Sequence, residues 1–274
     1  MALDVGRALK EGAERLASRN GALFVGAFLL VSLVGNVALD SAAVALEALT
    51  AELAAEAGQP APESLPEGAT PLAFDLPGSV ISMLLVAWLL AWAATSVLAV
   101  RVMASEHTSA IPDELLSRRL TSATIHELVA RVVVLTLVGV GFLLFVLPGV
   151  FLAICFYFVR PLIAIEDRNA IDAMTESWRL SRGDRLAVLG VMLGAVAVYV
   201  AISLAGSLGA LVLSPVPGAG MAVSIAFAAV ANVFWLAVSA RAFVQLREPE
   251  EPEPEPTEGS GPDDEWDDPP GVEW

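Results

Sequence analysis

Between Arg131 and Arg160 the chain runs for 28 residues without a charged side chain. Four more stretches are as free of charge, near Gly21–Leu39, Gly78–Val100, Leu186–Leu213 and Gly218–Val238. About 20 such residues in a helix cross the roughly 30 Å hydrocarbon core of a bilayer. These runs point to an all-α, polytopic membrane protein. The composition agrees, with 56% hydrophobic residues and a mean hydropathy of +0.70, well above a soluble domain.

The number of spans turns on the longest run. Read as one tilted helix it gives five spans; broken at Leu147-Pro148-Gly149 it gives six. Basic residues collect on the cytoplasmic side of membrane helices. Six spans with an inside N-terminus put all 15 basic residues inside, whereas five would put seven arginines outside. The spans are then near 21–39, 78–100, 131–147, 149–166, 186–213 and 218–241, paired as three hairpins with both termini in the cytoplasm. Pro148-Gly149 is expected as a tight outer turn, with proline opening the next helix as in Pro77-Gly78 and Pro217-Gly218. The first apolar stretch, about 18 residues, exceeds the 7–15 of a signal-peptide core and reads as a retained span.

Charge is segregated. The segment Asp40–Asp75 holds seven acidic residues and Glu248–Trp274 holds 12, neither with any Lys or Arg, within a net charge of −16. Fourteen of the 15 basic residues are Arg. Such acid-rich, lysine-poor usage fits a halophilic archaeon or, alternatively, a high-GC bacterium. Near molar salt the Debye length is roughly 3 Å, so an acidic tail would attract little at range. The single Cys155 permits no internal disulfide and reads as a small apolar-run residue.

Three segments outside the spans carry a pattern. Residues 1–19 hold a cytoplasmic amphipathic helix, Asp4–Ser18, with Val5, Leu9, Ala13 and Leu16 on one face and Glu11 spaced to pair with Arg15. The acidic outer loop, 40–76, is helical to about Ala57 and then proline-rich. Asn169 caps a helix ending near Gly183, with Ile171, Met174 and Trp178 on one face. Trp178 is expected at headgroup level with Arg179 and Arg182 near phosphates. It reads either as a contact for lipid or a partner, or as a plain interfacial connector.

The residues Leu147-Pro148-Gly149, Arg160-Pro161, Glu166-Asp167, Ala173 and Ser177-Trp178-Arg179-Leu180-Ser181-Arg182-Gly183 form a signature. It resembles the membrane domain attached to some bacterial glycerophosphodiester phosphodiesterases, and the stand-alone YciC-like membrane proteins. The whole chain looks similar to uncharacterised haloarchaeal members of that broad group. The resemblance covers roughly Leu147–Arg185. It implies a six-helix membrane domain tied to envelope or lipid homeostasis. It does not imply phosphodiesterase activity, since the catalytic module of those enzymes is a separate soluble domain.

The spans at 20–247 leave few polar candidates at depth. Asn36 and Asn232 are placed to hydrogen-bond across helices. Arg160 marks the inner end of the fourth span, where Pro161 should kink the helix. Gly190, Gly194, Ala197 and Ala201 make a stripe for close packing. No nucleophile elbow, phosphate-binding glycine loop or zinc-protease motif occurs, and His126-Glu127 lacks a second histidine. No enzyme, cofactor, metal or nucleic-acid partner is expected. The tail 248–274 is too acidic and proline-rich to fold, although Trp266 and Trp274 could form a docking motif for a protein partner. The expected role is a non-catalytic scaffold or accessory factor contacting membrane lipids and acting through its cytoplasmic face. The rivals are a small-solute transporter or channel lined by Asn36, Asn232 and Arg160, and a lipid-modifying membrane enzyme. A water-wide cavity reaching Arg160 would favour the transporter.

Overall fold

The computed structural model describes residues 3–60, 63–66, 68–216 and 218–247, and all regular structure among them is helical. Six segments are long and apolar enough to cross a membrane: Arg19–Glu56, Gly78–Ala104, Leu120–Leu144, Val146–Glu166, Arg185–Val212 and Ala219–Arg247. Helices suit that setting because each satisfies its own backbone groups where lipid offers no partner.

The chain opens with α1 (Val5–Leu16), capped by Asp4, whose carboxylate accepts from the Arg7 amide at 2.9 Å. Ser18 caps α2 (Arg19–Glu56). At 38 residues, α2 is about 57 Å long, nearly twice a bilayer core. The first span and the helical start of the outer loop are thus one continuous element. The following loop folds back along it: the Leu72 amide donates to Asp40 Oδ2 at 3.0 Å, Phe74 to Ser41 Oγ at 3.0 Å and Leu65 to Glu47 Oε1 at 3.1 Å. Next, α3 (Gly78–Ala104) returns against α2, with Trp88 seated over Gly35 and Trp92 edge-on to Phe28 at 5.1 Å.

A short α4 (Asp113–Ser117) leads to α5 (Leu120–Leu144). The turn after α5 is a single extended residue, Phe145, rather than the expected Pro148-Gly149. Pro148 instead lies in the first turn of α6 (Val146–Cys155), where a missing N–H costs nothing. Gly141 of α5 and Gly149 of α6 meet so closely that a Cβ on Gly141 would lie 2.9 Å from the Gly149 Cα. The expected fourth span is itself broken at residues 156–158, and α7 (Val159–Glu166) resumes it. Pro161 sits in the first turn of α7, so the helix breaks ahead of it and is not kinked at it. Ser177 of α8 (Ala170–Ser181) closes the gap: its hydroxyl donates to the Cys155 carbonyl at 2.8 Å and accepts the Phe158 amide at 3.2 Å.

Finally α9 (Arg185–Val212) and α10 (Ala219–Arg247) pack antiparallel, with Gly206 under Phe227 and Gly209 beside Val223. The N-terminal helix does not lie free on the surface. Instead α1 fills the groove between α9 and α10: Val5 rests on Gly190, Leu9 on Gly194, and Gly12 on Val238. Ala8 and Gly12 form its buried face. Ala197 and Ala201 remain exposed, so half of the expected small-residue stripe is used. Glu11 pairs with Arg241 at 2.6 Å and Arg7 at 2.7 Å, not with the expected Arg15; the docked position brings α10 nearer than the next turn of α1.

One end of the bundle is sealed by charge. Arg101, 2% exposed, donates to Asp167 at 2.8 Å and to the carbonyls of Ala164 and Arg118 at 2.6 Å each. Asp167 closes α7 in the left-handed region, φ 53°, and also accepts from Arg118 at 2.8 Å. Arg247 reaches Glu166 at 2.8 Å and Glu176 at 3.2 Å. Phe151, midway along α6, lies under the Arg185 guanidinium at 4.9 Å, and Arg185 is the first residue of α9. The α5–α6 turn, six residues before Phe151, therefore does not reach the far end of α9.

Candidate functional site: a lateral cavity floored by two arginines

Glu127 and Arg131 stand one turn apart on α5, and the break before α7 sets Arg160 opposite them. Glu127 is only 2% exposed, and its Oε1 accepts from Arg131 Nη2 and Arg160 Nε, both at 2.8 Å. One carboxylate between two guanidiniums leaves the cluster with a formal charge of +1. Two more polar atoms here, Arg131 Nε and the Tyr157 hydroxyl, are buried without a hydrogen-bond partner among the described residues. Buried donors are nearly always satisfied, so an unpartnered pair beside an uncompensated charge marks a site built for something else.

A cavity of about 420 Å³ rises from this floor between α5–α6 on one side and α9–α10 on the other. Its walls include Val134, Val138, Phe142, Ala153, Met192 and Trp235. Leu135 and Phe142 line it and are also well exposed, at 64% and 47%, so it opens sideways onto the apolar surface. A second cavity of about 300 Å³ shares Arg131, Arg160, Val196 and Trp235 with the first and adds Ser96, Tyr199 and Asn232. A third, about 320 Å³, shares Trp92 and Asn232 with the second and is lined by Ser32, Asn36 and Trp88. The three form a series joined through common side chains.

The structure brings Arg160, Asn232 and Asn36 onto this one series. Asn36 and Asn232 do not bridge helices: each amide donates to a carbonyl one turn back on its own helix, Ser32 at 2.8 Å and Ala228 at 2.9 Å. Their remaining polar capacity faces the cavity they share.

The amphipathic α8 forms where the sequence placed it, and Asn169 caps it by accepting the Asp172 amide at 2.9 Å. Its packed face is the small one, Ala173, Ser177 and Ser181. Trp178 stacks edge-on against Phe151 at 5.5 Å and near Phe156 at 5.9 Å. With Ile171, Met174 and Val133 it borders a separate apolar hollow of about 500 Å³. Arg179 is exposed and paired with Glu176, and Arg182 is exposed. Trp266 and Trp274 lie outside the described residues.

Glu127, Arg131, Trp92 and Tyr157 were not singled out from sequence. A signal existed: Arg131 and Arg160 bound the longest uncharged run, and Glu127 precedes Arg131 by one helical turn. In sequence Glu127 belongs to a His-Glu pair that lacks a second histidine, and a third span beginning at residue 131 leaves it outside the bundle. The helix starts at Leu120, which carries the carboxylate into the bundle.

Six candidate spans around a polar-floored cavity define an integral membrane protein by helix length and composition. The chain belongs to a family described as a domain of unknown function, DUF7847, whose model matches residues 3–246. No curated protein and no solved structure matches it.

Proposed function

We propose that this is a non-catalytic integral membrane protein that accommodates a small guest molecule inside its bundle, at the Glu127–Arg131–Arg160 cluster. The observation that supports the reading is the series of three cavities joining Asn36 and Asn232 to Arg160. A packed bundle would have favoured a scaffold; a polar-lined path favours binding or passage of a solute. The basic residues, which fall on the connecting segments or in the span portions that six spans would turn toward the cytoplasm, support an N-in, C-in arrangement of three hairpins in a cell membrane. Cysteine labelling tests the reading. In a Cys155→Ser background, cysteines at Tyr199, Asn232 and Asn36, none of them fully buried, should react with a small water-soluble thiol reagent in sealed vesicles, and one at buried Ala99 should not. Three unreactive positions would make the cavities closed packing defects and return the protein to a purely structural role.

A second reading rests on a different surface. The apolar face of α8, with Ile171 at 76% exposed and Trp178 beside Arg179 and Arg182, suits contact with lipid headgroups or a partner in envelope or lipid homeostasis. Binding of headgroup-labelled lipid to detergent-solubilised Trp178→Ala/Arg179→Gln, set against the unaltered protein, measures whether that face contributes; equal binding removes this second reading.

A further inference from the structure

Building on the guest-binding reading, we infer that the guest is an anion of the phosphate or carboxylate class, carried on the head of an amphiphile. Three observations converge. The cluster at the floor is one positive charge in excess: Arg131 and Arg160 share the carboxylate of Glu127, the only acidic residue among the described residues lining the 420 Å³ and 300 Å³ cavities. Two donors, Arg131 Nε and the Tyr157 hydroxyl, are buried there without a partner among the described residues, and both complement acceptor oxygens. Guanidinium forks match the geometry of phosphate and carboxylate oxygens.

Above the floor the walls change character. Val134, Val138, Phe142, Ala153 and Met192 are apolar, and the mouth lies at the hydrocarbon-facing surface of α5. Water there would meet no partners, while a hydrocarbon chain would lose nothing on entering from the bilayer. A charged floor under an apolar, laterally open wall is thus the negative imprint of a molecule with an anionic head and an apolar tail. Asn232, Ser96 and Tyr199 line the adjoining cavity and offer hydrogen bonds to further headgroup oxygens.

The test uses full-length protein in neutral detergent and tryptophan quenching by lipids brominated in their acyl chains, since Trp235 lines the cleft. Brominated phosphatidylglycerol should quench at about tenfold lower concentration than brominated phosphatidylcholine, and Trp235→Phe should remove the selective part of the signal. Arg131→Gln and Arg160→Gln should each abolish the preference. The lysine variants of both, which keep the charge, should retain a share of it. Ala153→Phe, which fills the apolar wall without touching the floor, should weaken phosphatidylglycerol alone.

Inorganic phosphate separates the two sources of the anion. If millimolar phosphate leaves lipid binding unchanged, the head of an amphiphile is the ligand; if it displaces the lipid and Ala153→Phe has no effect, the ligand is a free anion. Equal quenching by the two lipids, or an unchanged preference in both glutamine variants and in Ala153→Phe, overturns the inference. Should that happen while the cysteines at Tyr199 and Asn232 react, the anion assignment fails and the guest-binding reading stands; if those cysteines are also inert, both fall.

Discussion

The pair α9–α10 and the run α5–α6–α7 are built from equally apolar sequence, yet they hold together by opposite means. Helices α9 and α10 are unbroken over 28 and 29 residues and meet through glycines, at Gly206 against Phe227 and Gly209 against Val223. In lipid no hydrophobic driving force remains between apolar helices, so such close contacts supply the association. The α5–α7 run is interrupted at Phe145 and again at 156–158, and its tip is bare: Leu143 is 86% and Leu147 81% exposed. Polar contacts pin it at named points, namely Glu127 to Arg160, Ser177 to the broken backbone, and Asp167 to Arg101. The 420 Å³ cavity opens along the pinned run, whereas the 320 Å³ one lies against α10 between α2 and α3.

The comparison breaks most sharply at Arg101. Arg101→Ala removes a buried donor to Asp167, to the Ala164 carbonyl of α7 and to the Leu115 and Arg118 carbonyls at α4, leaving the half-buried carboxylate with Arg118 alone. A loss of about 3–5 kcal/mol is expected, read as a large fall in the thermal midpoint in detergent. Arg101→Lys should recover only part, since one ammonium cannot reproduce the fork. Next in size, Gly12→Ala would press a methyl into Val238, whose Cγ2 lies 2.5 Å from the ideal Cβ position. Overpacking of this kind costs about 1–3 kcal/mol and should appear as faster hydrogen exchange confined to α1. Ser177→Ala leaves the Cys155 carbonyl and the Phe158 amide unsatisfied, at about 1–3 kcal/mol, with faster exchange at 156–159 and no change along α9.

A smaller effect follows acidity. Burial works against ionisation of Glu11, but hydrogen bonds from Arg7 and Arg241 outweigh it and hold the carboxyl below its ordinary 4.5. Glu176 is likewise opposed by burial and held down by Arg179 and Arg247. A carboxyl lowered on folding contributes stability that is present above its unfolded value and is lost as pH falls through the folded one. Unfolding between neutral pH and about pH 3 should thus show a decline that Glu11→Gln and Glu176→Gln together flatten. Last comes Leu143→Ala at the bare tip, where a change within about 0.5 kcal/mol is expected. A loss as large as that of Arg101→Ala would mean that the tip is packed, and would erase the contrast.

Much of this architecture was legible. The charge-free runs gave the helices, and Asn169 gave the start of α8 to the residue. The α5–α7 run was less so, because its breaks are set by contacts distant in sequence. Pro148 and Pro161 pointed to helix starts, yet nothing beside them shows that Ser177 holds the chain open between Cys155 and Phe158. The signature Ser177–Gly183 flagged this place without saying what it does. Arg160 was legible as a boundary residue, but its partner Glu127, 33 positions earlier, was hidden by a span start placed eleven residues late. Asn36 and Asn232 were found from polarity alone, and only the fold sets them on one cavity.

The seat of α1 has a bearing on how the molecule is made. Glu11 and Arg241 are 230 residues apart, and a ribosome adds roughly 5–20 residues per second. For roughly 10–50 s α1 has no groove to enter, because neither Gly190 nor Val238 has been synthesised. An amphipathic helix without a partner waits at the water–bilayer boundary, and the strongly two-faced pattern of α1 suits that wait. A two-faced sequence therefore serves α1 twice, on a membrane surface while it has no partner and in the α9–α10 groove once α10 is made.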